Sequence, residues 1–122
     1  MSSSPGNQTP KRGEVWYVDF DPTKGAEIQK RRPAVVISSD AVGKLPVKLV
    51  VPITNWNPAF ETNIWHVRLD PSPQNGLKKS SAADALQVRS VSVDRFLERW
   101  GRITQQQLEE IVQAIAAVIE LT

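Results

Sequence analysis

Apolar stretches of strand length, some alternating and one continuous, recur along this chain and give way to a helical spacing near its end. Between Glu14 and Phe20 (EVWYVDF) β-branched and aromatic residues dominate, with Trp16, Val18 and Phe20 on one face of a predicted strand and Val15, Tyr17 and Asp19 on the other. Residues 33–38 (PAVVIS) form a continuous apolar run of strand length, the pattern of a strand buried on both sides. Residues 47–54 (VKLVVPIT) predict a third strand, in which Pro52 implies an edge or a bulge near the end. Residues 63–69 (NIWHVRL) alternate Ile64, His66 and Arg68 against Trp65, Val67 and Leu69, which turns His66 toward solvent. Residues 80–92 predict one long strand or two short ones, with Gln87 and Arg89 on a common face. Residues 94–97 fit a helical turn, and residues 98–103 fit a short closing strand interrupted by Gly101.

The last segment changes period. Thr104 with Gln107 makes a capping box, and Leu108, Ile111, Val112, Ile115, Val118 and Ile119 recur at helical spacing, leaving Glu109, Glu110 and Gln113 opposite. Strands separated by loops and closed by one amphipathic helix predict a mainly β fold, a small barrel with the helix packed against it. With 122 residues, a single domain over residues 11–122 is expected behind a poorly ordered tail, residues 1–10, that has almost nothing to bury.

Composition removes several kinds of chemistry. With no cysteine and one histidine, neither a thiolate metal site nor the usual histidine zinc site is available, and no metal or cofactor is expected. No apolar run is long enough to cross a bilayer, and MSSSPGNQTP lacks the apolar middle of a secretory signal, so a cytoplasmic protein with no membrane partner is expected. The net charge is only +2, yet the sequence pI is about 9.2 and the cations bunch between Lys24 and Arg32. That bunching favours an anionic partner, with nucleic acid foremost.

The bunched cations lie in a loop between the first two strands. It carries the carboxylate Glu27 among Lys24, Lys30, Arg31 and Arg32, and Pro33 restricts Arg32 to extended geometry at the mouth of the apolar run. A guanidinium held at the start of a buried strand suits bidentate phosphate recognition, although a solvated basic loop has the same composition. Thr54 and Asn55 end the strand that contains Pro52, where a hydroxyl and an amide either face a ligand or cap the local backbone. Trp56 and Phe60 in the following loop either stack on bases or seal the end of the barrel.

Taken together, residues 13–20 followed by DPTKGAE, then RRPAVVIS, VPIT and LQVRSVS before a terminal helix, resemble the MazF/PemK toxins from about Lys11 to Leu121. The resemblance implies an SH3-like barrel that forms a homodimer. It also implies a metal-independent endoribonuclease that cuts single-stranded RNA at short sequences, restrained by a cognate MazE-like antitoxin with which such toxins bind DNA. The family's arginine before the proline falls on Arg32, its strand-end threonine on Thr54, its loop glutamate on Glu27 and its late glutamine on Gln87. An acidic residue often precedes that glutamine, whereas here Leu86 does, with Asp84 three positions before Gln87. The loops at 41–46, 56–62 and 70–79 would then touch bases.

On this reading RNA is cut by its own 2′-hydroxyl, leaving a 2′,3′-cyclic phosphate and a 5′-hydroxyl. Arg32 stabilises the added negative charge, Thr54 bonds the same phosphate, and Glu27 is the natural base, although Lys24, Lys30 and Arg31 lower its basicity. Lys24, Lys30, Arg31, Asn55, Gln87, Arg89, Tyr17 and Asp19 are the expected RNA-binding residues. Two other readings share the architecture: a CcdB-like toxin that binds DNA gyrase without catalysis, and an SH3-like RNA-binding module. The gyrase contact uses a Trp-Gly-Ile ending, where this chain has Glu120-Leu121-Thr122.

Overall fold

The computed structural model describes residues 9–20, 31–42 and 45–121. Its strands are β1 (Glu14–Asp19), β2 (Arg31–Val36), β3 (Val47–Asn55), β4 (His66–Leu69), β5 (Ser81–Asp84), β6 (Arg89–Ser92) and β7 (Phe96–Arg102), followed by the helix α1 (Gln105–Val118). All pair antiparallel in one sheet ordered β4-β5-β3-β2-β1-β7, with β6 also against β3. The expected mainly β fold with a C-terminal helix is what forms. Closure into a barrel is not: among the described residues β4 and β7 are the ends of an open path, and they do not pair with each other.

β3 is the hub, because it is long enough to serve two partners along one edge. Its first half pairs with β6, from Val47↔Ser92 to Val50↔Arg89, and its second half pairs with β5, from Ile53↔Ala83 to Asn55↔Ser81. Pro52 falls in the gap between these ladders, where a missing N–H removes no ladder bond. The register of β1 against β7 shifts twice, between Val15 and Trp16 and between Tyr17 and Val18, and such shifts bend a strand.

The central strands are buried on both faces. Trp16, Val18 and Phe20 pack with Ala34, Val36, Val50 and Val91 on one side. Val15, Val35, Val51 and Ile53 pack on the other side in the cluster that contains Leu108 and Ile111 of α1. The helix begins as its sequence dictates, with Thr104 and Gln107 exchanging both capping-box hydrogen bonds. Its buried line is Leu108, Ile111 and Ala114, narrower than the expected stripe: Val112 is 38% exposed and Ile119 63%.

Of the two forms expected for residues 80–92 the second appears, and the expected placements of Gln87 and His66 are corrected. Residues 80–92 form two short strands parted by a 3-10 turn at Ala85–Gln87, because the Asp84 side chain accepts the Leu86 N–H and caps that turn. Gln87 therefore lies in a turn and shares no strand face with Arg89. His66 does not face solvent: its side chain is only 7% exposed, stacked on Phe60 at a centroid distance of 3.7 Å.

Candidate active site

Arg32 sits near the start of β2, cross-strand from Val18, and its side chain is half-buried. One guanidinium nitrogen, Nη1, donates to the carbonyl of Ile53 at 3.2 Å, which fixes the head group beside the residue that precedes Thr54. Nε is buried with no hydrogen-bond partner among the described residues. Burial lowers the pKa of Arg32 from its ordinary value, and the charge of the nearby Tyr17 acts in the opposite sense. A guanidinium remains protonated at neutral pH under such pressure. Among the described residues the result is a cation fixed by one neutral acceptor, with donor capacity left over.

Other expected residues gather around it. Tyr17 lies on β1 opposite Pro33 and stacks on Trp100, with ring centroids 5.2 Å apart and planes at 7°. Thr54, half-buried, pairs with Ala82, and Asn55, exposed, pairs with Ser81. Asp19 and Arg31 face each other at the open end of β1 and β2, with Arg31 Nε 3.9 Å from a carboxylate oxygen of Asp19. The guanidinium carbon of Arg89 lies 5.5 Å from the centroid of the Phe20 ring, which sets its charge beside the end of β1. Gln87 is half-buried in the turn between β5 and β6. Glu27, Lys24 and Lys30 fall outside the described residues.

Three features near these residues are not visible in the sequence pattern. The Ile53 carbonyl is a backbone group that no side-chain pattern reveals. Trp100 figures in the sequence only as part of a closing strand, yet it stacks on Tyr17. Arg95 donates to the Asp19 carbonyl at 3.4 Å, adding a cation to the end of β1.

Two further clusters are self-satisfied. His66 has Asn63 at 3.1 Å from Nδ1 and an Asp84 carboxylate oxygen 3.7 Å from Nε2. Burial lowers its pKa, more than Asp84 raises it. Glu14 accepts from the Lys11 amide at 2.8 Å, from the Trp16 indole at 2.9 Å and from Arg99 at 2.8 Å. Burial pushes its pKa up, but these bonds outweigh that and hold it below the ordinary value. A pocket of about 390 Å³ at the start of α1, lined by Arg12, Asp40 and Arg102 among others, contains none of the expected site residues. Among the described residues no helix is long and apolar enough to cross a membrane.

A family model described as PemK-like, MazF-like toxin of type II toxin-antitoxin system matches residues 11–119. The endoribonuclease MazF9 of Mycobacterium tuberculosis is 34% identical over 118 residues, covering 91% of this chain and 97% of that protein. Among solved structures, MazF from Deinococcus radiodurans superposes with a TM-score of 0.77 at 23% identity, covering 93% of this chain and 98% of that one. A mycobacterial endoribonuclease in complex with its cognate antitoxin superposes with a TM-score of 0.73 at 20% identity, covering 93% and 98%. At these identities the two structural likenesses speak for the fold.

Proposed function

The chain belongs to the PemK-like, MazF-like toxins of type II toxin-antitoxin systems, and we propose that it is an endoribonuclease that cuts single-stranded RNA without a metal ion. The observation that carries this reading is Arg32: half-buried, anchored on the Ile53 carbonyl next to Thr54, with an N–H that no described residue fills. Such a group is built to meet an anion, since a buried donor left unpaired is costly unless a ligand completes it.

In the proposed reaction the 2′-oxygen attacks the adjacent phosphorus and the bond to the 5′-oxygen breaks. The proton of the 2′-hydroxyl passes to a base, for which Glu27 is our candidate, and the departing 5′-oxygen takes up a proton. Arg32 and Thr54 hold the phosphate oxygens as charge builds on them. Arg31 and Arg89, with Lys24 and Lys30, bind the RNA backbone, and Tyr17, Asp19, Asn55 and Gln87 line its path. The active form is a homodimer in the cytoplasm, and a MazE-like antitoxin inhibits it. Supporting association of two copies is the apolar stretch Leu45, Val47 and Leu49, which are 56%, 39% and 40% exposed.

Incubating the purified protein with mixed-sequence RNA in EDTA and mapping the new ends tests the proposal. Cuts at a short recurring sequence, with 2′,3′-cyclic phosphate and 5′-hydroxyl ends, are expected. Intact RNA, or ends carrying a 5′-phosphate, would refute it.

A further inference from the structure

The ladder between β2 and β3 stops early, and the residue at which it stops explains how Arg32 is held. The pairs run Val36↔Val50, Val35↔Val51 and Ala34↔Pro52, and then end, although β2 stays paired with β1 through Arg32 and Arg31. Continuing the register by one residue sets Pro33 opposite Ile53. In an antiparallel ladder, hydrogen-bonded pairs alternate with non-bonded ones. Ile37 donates to the Leu49 carbonyl at 2.9 Å, so the bonded pairs are 37 with 49, 35 with 51 and, next in the series, 33 with 53. At that position a residue with an amide would donate to the Ile53 carbonyl. Proline has no N–H. The Ile53 carbonyl is therefore left open at this point in the ladder, and it is the oxygen to which Arg32 Nη1 donates at 3.2 Å.

We propose that Pro33 is a positioning residue whose missing amide reserves the Ile53 carbonyl as the anchor of the Arg32 guanidinium. The proposal rests on the reading of Arg32 as the group that stabilises the phosphate. The nitrogen of Pro33 points toward β3, while the β1 side of β2 keeps its pairing, so the proline opens one edge without detaching the strand. An amide at this position would extend the ladder by one bond, draw the strands together there, and make the guanidinium share or lose its acceptor. The ring also keeps Arg32 extended, so one residue sets both the backbone geometry of the arginine and the acceptor of its side chain.

The test uses two variants of the full chain: Pro33→Ala, which restores the N–H, and a chain with lactic acid at position 33, which carries the alanine methyl group on an ester-linked backbone and has no N–H. In Pro33→Ala the new amide is expected to be protected from hydrogen exchange by the Ile53 carbonyl, with melting unchanged or raised. Its kcat for RNA should fall on the order of 10²-fold with KM little changed, because the loss is one of geometry at the reacting phosphate. The lactic acid variant should recover most of that kcat. An unprotected amide at position 33 of Pro33→Ala together with full activity, an equal loss of kcat in both variants, or failure of both to fold would overturn the proposal, the last two by making the ring the requirement. Hydrogen exchange in Pro33→Ala needs no RNA, so it still tests the anchor if the wild-type protein proves not to cut RNA.

Discussion

Two arginines flank β1, and they are treated in opposite ways. Arg99, on β7, lies 2.8 Å from the Glu14 carboxylate, and that carboxylate is further bonded by the Trp16 indole and the Lys11 amide. Charge and donors close on each other, as in a group whose task is to join β1 to its neighbour. Arg32, on β2, has among the described residues a single neutral carbonyl as acceptor, and its Nε has no partner there. A protein can bury either arrangement, but only the second, among the described residues, keeps a donor open for an incoming anion. The contrast separates a structural charge from a functional one by bond accounting.

Substitutions that exchange the two behaviours would break this comparison. The largest effect is expected for Arg32→Ala: a loss of roughly 3 kcal/mol or more of transition-state stabilisation, read as kcat/KM on RNA, with a melting temperature no lower than wild type because an unfilled donor is removed. Near wild-type cutting, or a large drop in stability, would place Arg32 with Arg99. The reverse pattern is expected for Glu14→Gln, with stability reduced by about 1–2 kcal/mol in urea unfolding and cleavage per folded molecule retained. Because the Glu14 carboxyl is held below its ordinary 4.5, its contribution is present above that pH and is lost as pH falls through the lowered value. In Glu14→Gln that part of the acid sensitivity should vanish.

Smaller effects sharpen the comparison at its edges. Neutralising Arg31 or Arg89 should weaken RNA binding about equally for all sequences and reduce the salt slope by roughly 0.7 per contact, whereas a change at Arg99 should leave the slope alone. The smallest effect concerns His66. Its pKa is depressed by burial, so the unfolded chain takes up a proton before the native one does, and stability falls as pH drops below about 6.5. His66→Gln should flatten the melting temperature over that window, and an unchanged slope would mean that another group titrates there.

What could be read from the sequence was local. The Thr104 and Gln107 cap and the shared face of Trp16, Val18 and Phe20 depend on neighbours in the chain, and both stand in the structure, whereas the edge or bulge expected at Pro52 does not form, because β3 is continuous and central and Pro52 pairs with Ala34. What escaped depended on distant partners. The alternation around His66 correctly opposes it to Val67, but Phe60 and Asp84 come from other elements and cover it. Gln87 fits a strand pattern in the sequence, but Asp84 caps the turn that contains it. In the site, the pre-proline position of Arg32 was legible as a constraint on its backbone. The acceptor of its side chain was not, since a carbonyl left open by Pro33 exists only once β2 and β3 are in register.

The central claim is that Arg32 is kept unsatisfied so that a phosphate can complete it. The most direct measurement follows the guanidinium N–H resonances of Arg32 by NMR while adding RNA that carries a 2′-deoxy nucleotide at its cut site, which binds but cannot react. The Arg32 signals are expected to shift and exchange more slowly on binding, while those of Arg99 stay in place. RNA that binds and leaves the Arg32 signals unmoved would contradict the claim.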